Sequence, residues 1–266
     1  MIATRTLLFV LLAFVSCGNA PPSKDVGSFT LHSKIVNDDY TISIKKPEAF
    51  YNDSSYHLLV IADGTIGLGD YVLGRDASWK AEHPSNCIIV TIGHNGDWHK
   101  KRRRDFIPSD AGGYKDENFG RADNFYLFLK TELLPVLAKK LPKCKSKSFI
   151  GHSFSGLFSL YAALKNDHSF DSYYAISPSV WANDEELIKI LNNLQTERLP
   201  TSIHLYVGGL EVFNKVLSSS KKFYRKITAR NLDSLSITFD VISWSNHFSV
   251  RKPAIDKIFK SFSNAE

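Results

Sequence analysis

Cysteine is scarce in this 266-residue chain, at three positions, and methionine occurs once. A disulfide scaffold is excluded, and at this length about three-quarters of the unfolded surface can be buried in one core without covalent or metal staples. No apolar run reaches the ~20 residues that a membrane-spanning helix requires. No internal repeat, low-complexity stretch or long linker interrupts the chain, which excludes solenoids and tethered modules. Neither sign of charge dominates. Lys plus Arg at 33 against Asp plus Glu at 27 leave a formal +6, well short of the dense basic stripe of a nucleic-acid binder. What is present, 43% hydrophobic, 12% aromatic and 23% charged residues, is the composition of a globular domain.

The apolar run that does occur opens the chain. Arg5 precedes Leu7 to Val15, then Ser16-Cys17-Gly18-Asn19, the layout of a secretory signal with its h-region and cleavage region. Small residues just before a cysteine resemble the lipobox of bacterial lipoproteins. Residues 1–20 are therefore expected to be a leader with Cys17 as the lipidated position, followed by a short tether through Pro21 to Lys24. Such a protein is exported, to the periplasm or outer membrane as a lipoprotein, or otherwise secreted after a cut following Ala20. That second cut would leave Pro21 at the scissile bond. Export would permit a disulfide, but Cys87 and Cys144 precede strands that flank a third, too far apart to bridge. Both are expected as free thiols.

From residue 28 to 266 one α/β domain is expected. Phe29–Val36 and Tyr40–Ile44 alternate around Asn37-Asp38-Asp39, a hairpin signal. Leu58–Ala62, Ile88–Ile92 and Ser148–Ile150 are continuous apolar runs, as in strands covered on both faces. Tyr173–Ile176, Ile203–Val207 and Ile237–Trp244 complete the strands, with helical patterns between them at about 71–82, 118–140, 154–164, 185–194, 214–230 and 249–262. This alternation predicts a mostly parallel sheet with an N-terminal antiparallel hairpin and helices on both faces.

Chemistry enters at Gly151-His152-Ser153-Phe154-Ser155-Gly156, between an apolar strand and a helix. In that setting G-x-S-x-G reads as a nucleophile elbow, a strained turn presenting the Ser153 hydroxyl above the sheet's C-terminal edge. The fifth position is Ser155 instead of the usual glycine. With the chain order serine, acid, histidine, only His168, His204 and His247 follow the serine. His204 is inside a strand and His168 on a polar loop, leaving His247 as the base. Glu211, beyond the strand Ile203–Val207, is the candidate acid, with Asp184 and Glu185 as alternatives. The oxyanion hole would use the backbone N–H groups of Phe154 and of Thr65 in the Asp63-Gly64-Thr65 turn.

With these pieces in place, the sequence resembles the putative esterase family of α/β-hydrolases, which includes esterase-D-like enzymes and siderophore esterases of the enterobactin-hydrolase kind. The resemblance is carried by Ala62-Asp63-Gly64, Arg102-Arg103-Arg104-Asp105-Phe106-Ile107-Pro108, Glu132-Leu133-Leu134-Pro135, the Ser153 elbow and Ser177-Pro178-Ser179-Val180-Trp181. It implies the α/β-hydrolase fold and cleavage of carboxylic esters through an acyl-enzyme, with Ser153 attacking, His247 shuttling the proton and Glu211 orienting it. No metal or organic cofactor is implied.

The resemblance also recasts Lys100-Lys101-Arg102-Arg103-Arg104. Lys100, Lys101 and Arg103 read as a solvated loop, whereas Arg102 and Arg104 either brace Asp105 or contact substrate at a pocket rim. Trp181 is a candidate pocket wall, with core packing as its other reading. His94, Asp97 and His99 lack the partners of a metal site. The expected partners are a small-molecule ester and a membrane through the lipid anchor, with no nucleic acid, and the chain is expected to be a monomer. The competing function is a catalytically silent ligand-binding lipoprotein on the same fold.

Overall fold

The computed structural model describes residues 26–74, 82–109, 119–213 and 215–264. The leader, Cys17 and the tether lie outside the described residues. Strand β1 (Val26–Ser33) turns into β2 (Asp38–Lys45) as an antiparallel hairpin, with Asn37 in the left-handed conformation at the turn. The remaining strands are β3 (Tyr56–Ala62), β4 (Cys87–His94), β5 (Cys144–His152), β6 (Ser172–Ile176), β7 (Arg198–Gly208) and β8 (Asp233–Ile242). Together they make one eight-stranded sheet in the order β1-β2-β4-β3-β5-β6-β7-β8. β2 meets β4 antiparallel, and every pairing from β4 onward is parallel.

The continuous apolar runs are explained by cover on both faces. On β3, Leu58, Val60 and Ala62 enter one core, while Leu59 and Ile61 enter the other. The first core is closed by helices α2 (Trp98–Phe106), α3 (Ala122–Phe128), α4 (Leu134–Lys140), α5 (Phe154–Ala163), α6 (Ala182–Asn192) and α7 (Val216–Ala229), and the second by α1 (Leu68–Leu73) and α8 (Arg251–Ser263). The helix expected across 118–140 is interrupted by a π-helical turn at Leu129–Leu133.

The strand order reverses between β3 and β5, because β4 lies on one side of β3 and β5 on the other. Open parallel sheets leave a crevice at such a reversal, outside the strands' C-terminal ends. Asp63 follows β3 and Ser153 follows β5, so both turns open there. Cys87 and Cys144 are free thiols on β4 and β5, separated by β3. Burial pushes the Cys87 thiol up to about 12.

One element departs from expectation. The basic run is the helix α2, not a loop. Asp97 caps it by accepting from the Lys100 N–H at 3.2 Å, Lys and Arg are good helix formers, and Arg103 and Arg104 stand in the last turn where the helix dipole favours cations.

Candidate active site

Ser153 joins β5 to α5 at φ 62° and ψ −117°, a conformation that a non-glycine residue holds only when its surroundings impose it. The imposition is visible in the close approach of the two arms. A Cβ on Gly151 would collide with the carbonyl of Ser155, so Gly151 must be glycine. Ser153 N–H donates to the Ile176 carbonyl at 3.0 Å, and Ser179 N–H donates to the Ser153 carbonyl at 3.1 Å.

The loops after β7 and β8 bring the other two residues to this turn. His247 Nε2 lies 3.0 Å from Ser153 Oγ, and its Nδ1 lies 2.6 Å from Glu211 Oε1. The second carboxylate oxygen of Glu211 accepts from the Gly208 N–H at 2.8 Å and from the Ser177 hydroxyl. Burial alone would raise the Glu211 pKa. The bonds from His247, Ser177 and Gly208 outweigh it and hold the carboxyl below its ordinary value. The two alternative acids lie elsewhere, with Asp184 pairing with Lys189 and Glu185 with Lys222.

His152 is the buried neighbour of the nucleophile. Its Nε2–H donates to the His247 carbonyl at 2.7 Å, tying the base's loop to the elbow. Burial, then the nearby His247, Arg251 and Arg102, push its pKa well below the ordinary histidine value, against the opposing bond to the carbonyl. His152 is therefore a neutral donor at pH 7.

Beneath the elbow sits a buried carboxylate. Asp63, at φ 60°, accepts from Arg102 Nε at 2.6 Å and Nη2 at 3.0 Å. It also accepts from Ser155 Oγ at 2.8 Å, and Ser155 Oγ itself accepts from the His152 N–H at 2.8 Å. The serine that replaces the motif's glycine thus joins the turn after β3 to the elbow. It fits because the close approach at Gly151 is made by the Ser155 main chain, which leaves its side chain free to point at Asp63.

A cavity of about 440 Å³ opens in front of Ser153 and His247, walled by Ile66, Gly67, Trp98, Arg102, Phe248 and Arg251, among others. A larger depression, of about 870 Å³, lies along α4 and the start of β5, at the far end of the sheet from the three reacting groups. Chemistry, not size, singles out the smaller one.

Several expected site residues fall differently. Phe154 begins α5, where a first-turn N–H has no helical partner. Thr65 does not line the cavity; its hydroxyl donates to the His94 carbonyl at 3.1 Å, and Ile66 and Gly67 front the cavity from the same turn. Arg102 lines the cavity, but its guanidinium is committed to Asp63. Arg104 does not contact the cavity. Its guanidinium binds Asp105 at 2.6 Å and Asp38 at 2.7 Å in a buried cluster with Tyr40 and His94. Burial would raise the Asp105 pKa, but His94 and Arg104 outweigh it and hold the carboxyl down. Of the two roles open to Arg104, bracing is the one it has. Trp181 is 39% exposed, near Phe154 but outside the cavity, so it is neither core nor wall. Sequence reasoning missed Trp98, Phe248 and Arg251 as lining residues. Their only signal was proximity to motif residues, with Trp98 just before the basic run and Phe248 just after His247.

The sequence model of the family described as "Putative esterase" matches residues 33–237. The chain belongs to this esterase family. It is a carboxylic ester hydrolase with the α/β-hydrolase fold. The ferri-bacillibactin esterase BesA of Bacillus subtilis is 25% identical to it over 242 residues, spanning 83% of each chain. The crystal structure of the BES protein from Bacillus cereus superimposes with a TM-score of 0.73 at 26% identity, over 92% of this chain and 98% of that one. The siderophore hydrolase EstB from Aspergillus nidulans shares the fold at a TM-score of 0.75 and 20% identity, over 91% of this chain and 96% of that one.

Proposed function

We propose that this esterase is a serine hydrolase that cleaves small-molecule esters, with siderophore esters as the substrate class, through an acyl-enzyme. The observation that carries the reading is the continuous relay from Ser153 Oγ to His247 Nε2 at 3.0 Å and from His247 Nδ1 to Glu211 Oε1 at 2.6 Å. Ser153 Oγ attacks the ester carbonyl as His247 Nε2 takes its proton. Glu211, kept ionised by the bonds from His247, Ser177 and Gly208, fixes the tautomer with Nδ1–H toward itself and stabilises the imidazolium. The oxyanion of the tetrahedral intermediate is met by the Phe154 N–H and by a second N–H from the turn after β3, at Thr65 or the nearby Gly67, since the Ile66 N–H donates to the Asp63 carbonyl. On collapse, His247 returns the proton to the departing alcohol. Water, deprotonated by the same histidine, then attacks the acyl-enzyme and releases the acid.

The siderophore assignment draws on the relatives' names, which describe esterases of ferri-bacillibactin and a siderophore hydrolase. The leader adds a location. An exported enzyme tethered by lipid at Cys17 would meet siderophore esters at the cell envelope.

Fluorophosphonate labelling and p-nitrophenyl acetate hydrolysis test the mechanism. Wild type should label and turn over, and Ser153→Ala should do neither; equal labelling and turnover in the two would reject the serine mechanism. A catalytically silent ligand-binding protein would instead bind without turnover in the wild type. Fatty-acid labelling of wild type against Cys17→Ala tests the anchor, which is rejected if incorporation persists in the variant.

A further inference from the structure

The cavity in front of Ser153 holds two guanidinium groups in different circumstances. Arg102 is neutralised, with Nε and Nη2 both on Asp63. Arg251, in the first turn of α8, has only uncharged partners among the described residues. Its Nε donates to the Phe248 carbonyl at 2.9 Å and its Nη2 to the Tyr71 hydroxyl at 3.1 Å. The guanidinium carbon sits 4.5 Å from the Tyr71 ring centre and 5.6 Å from that of Phe248. Among the described residues no carboxylate pairs with it. Among the described residues its Nη1 has no hydrogen-bond partner, and it stands 3.7 Å from the position a Cβ on Gly67 would take, at the cavity wall.

The other charges of the cavity cancel or are absent. Asp63 offsets Arg102, Glu211 faces His247, and the buried His152 donates as a neutral ring. Arg251 is left as the uncompensated cation, half-buried and held by two aromatic rings. A guanidinium with an unpaired Nη1 is suited to donate charge-assisted hydrogen bonds to an oxyanion, and such a contact strengthens where water is partly excluded.

We propose that Arg251 is a specificity-determining residue that reads an anionic group, a carboxylate or comparable oxyanion, carried by the ester whose carbonyl faces Ser153. This rests on the serine-esterase reading. Tyr71 and Phe248 hold the guanidinium in place, and Gly67 leaves open the wall beside Nη1.

The test uses two nearly isosteric esters, 3-acetoxybenzoate and 3-acetoxybenzamide, with phenol release followed for wild type, Arg251→Gln, Arg251→Lys and Ser153→Ala. Wild type should favour the anion in kcat/KM. The anion-to-amide ratio should fall about tenfold in Arg251→Gln, the scale of one charge-assisted contact. It should stay within about threefold of wild type in Arg251→Lys, which keeps the charge, and should shrink in wild type as ionic strength rises. A ratio in Arg251→Gln within twofold of wild type overturns the proposal, as does a wild type that does not favour the anion. If Arg251→Gln does not fold, Arg251→Lys and the salt series still decide it: a wild-type ratio indifferent to salt overturns the proposal. Because the readout is a ratio, it is separable from the mechanism. Turnover persisting in Ser153→Ala would sink the serine reading, whereas its loss there with an unchanged ratio in Arg251→Gln sinks the Arg251 assignment alone.

Discussion

Replacing Ser155 by glycine would restore the usual G-x-S-x-G motif, and it is expected to damage this protein. Ser155 is fully buried, and its hydroxyl accepts from the His152 N–H at 2.8 Å and donates to Asp63 Oδ2 at 2.8 Å. Removing it orphans a buried N–H, at a cost of about 1–3 kcal/mol, and takes one charge-assisted donor, worth about 1.5–3 kcal/mol, from a buried carboxylate. Arg102 still holds Asp63, so the two losses overlap, and about 3 kcal/mol is expected for Ser155→Ala. Glycine adds roughly 0.5–1 kcal/mol of backbone entropy, so Ser155→Gly should be the less stable of the two. In a domain of this size about 3 kcal/mol corresponds to roughly 6–12 °C in Tm. Differential scanning calorimetry and urea denaturation measure it. The same variants should lose about tenfold in kcat on p-nitrophenyl acetate, because the turn after β3 and the elbow are no longer fastened to one carboxylate and small misplacements of reacting groups are costly. A Ser155→Gly protein as stable and as active as wild type would refute the reasoning, since the hydroxyl would then be an incidental substitute for hydrogen.

Three further outcomes follow from the same geometry. Glu211→Gln keeps the shape but presents an amide to His247 Nδ1, and kcat should fall by roughly 10³–10⁴ with KM little changed, as steady-state kinetics would register. Acid should destabilise the fold through its buried histidines. Burial, and then Lys45, hold His83 at about 4, while His152 is held well below the ordinary 6.5. The unfolded chain takes up these protons below about 6.5 and the folded chain refuses them, so the stabilisation is complete above that pH. It is lost on acidification by up to about 1.4 kcal/mol per pH unit for each histidine, less for the half-buried His83. Urea unfolding at a series of pH values should show this slope, and His152→Gln should flatten it. Arg104→Met strips the guanidinium from the fully buried Asp105, leaving it His94 and Tyr40, and should cost about 3 kcal/mol, read by the same unfolding, while leaving the anion-to-amide preference as in wild type.

The legibility of this fold in its sequence followed the physics of each element. β3, β4 and the end of β5 could be read because strands covered on both faces are apolar throughout, and no amphipathic helix imitates that over five residues with glycine at the end. The elbow was legible because strand, turn and helix are contiguous, and His247 because chain order left three histidines and the strand and loop positions of His204 and His168 set those two aside. Residues whose roles depend on distant partners were not legible. Arg104 stands beside Asp105 in the chain, yet its second partner, Asp38, lies on the hairpin's second strand. Thr65 was placed by analogy of position, but within the turn of residues 63–67 only the path of the backbone decides which residue fronts the cavity. Phe248 comes from the turn before the last helix and Arg251 from its start, and nothing in their local sequence marks them as facing the turn after β3.

The basic run shows why charge density is a poor guide to binding in a folded domain. An arginine carried into the interior must leave water, and the loss is recovered only by close carboxylate partners and further hydrogen bonds. α2 meets that requirement with Asp38, Asp63 and Asp105. A guanidinium so engaged is held in place, because drawing it toward a substrate anion would leave a buried carboxylate unpaired. The paired arginines of the densest positive segment, Arg102 and Arg104, are thus less available than its exposed Lys100 and Arg103. Availability belongs to the cation whose partners are neutral, and in this cavity that is Arg251, which stands among aromatic and polar residues where the sequence shows no cluster at all.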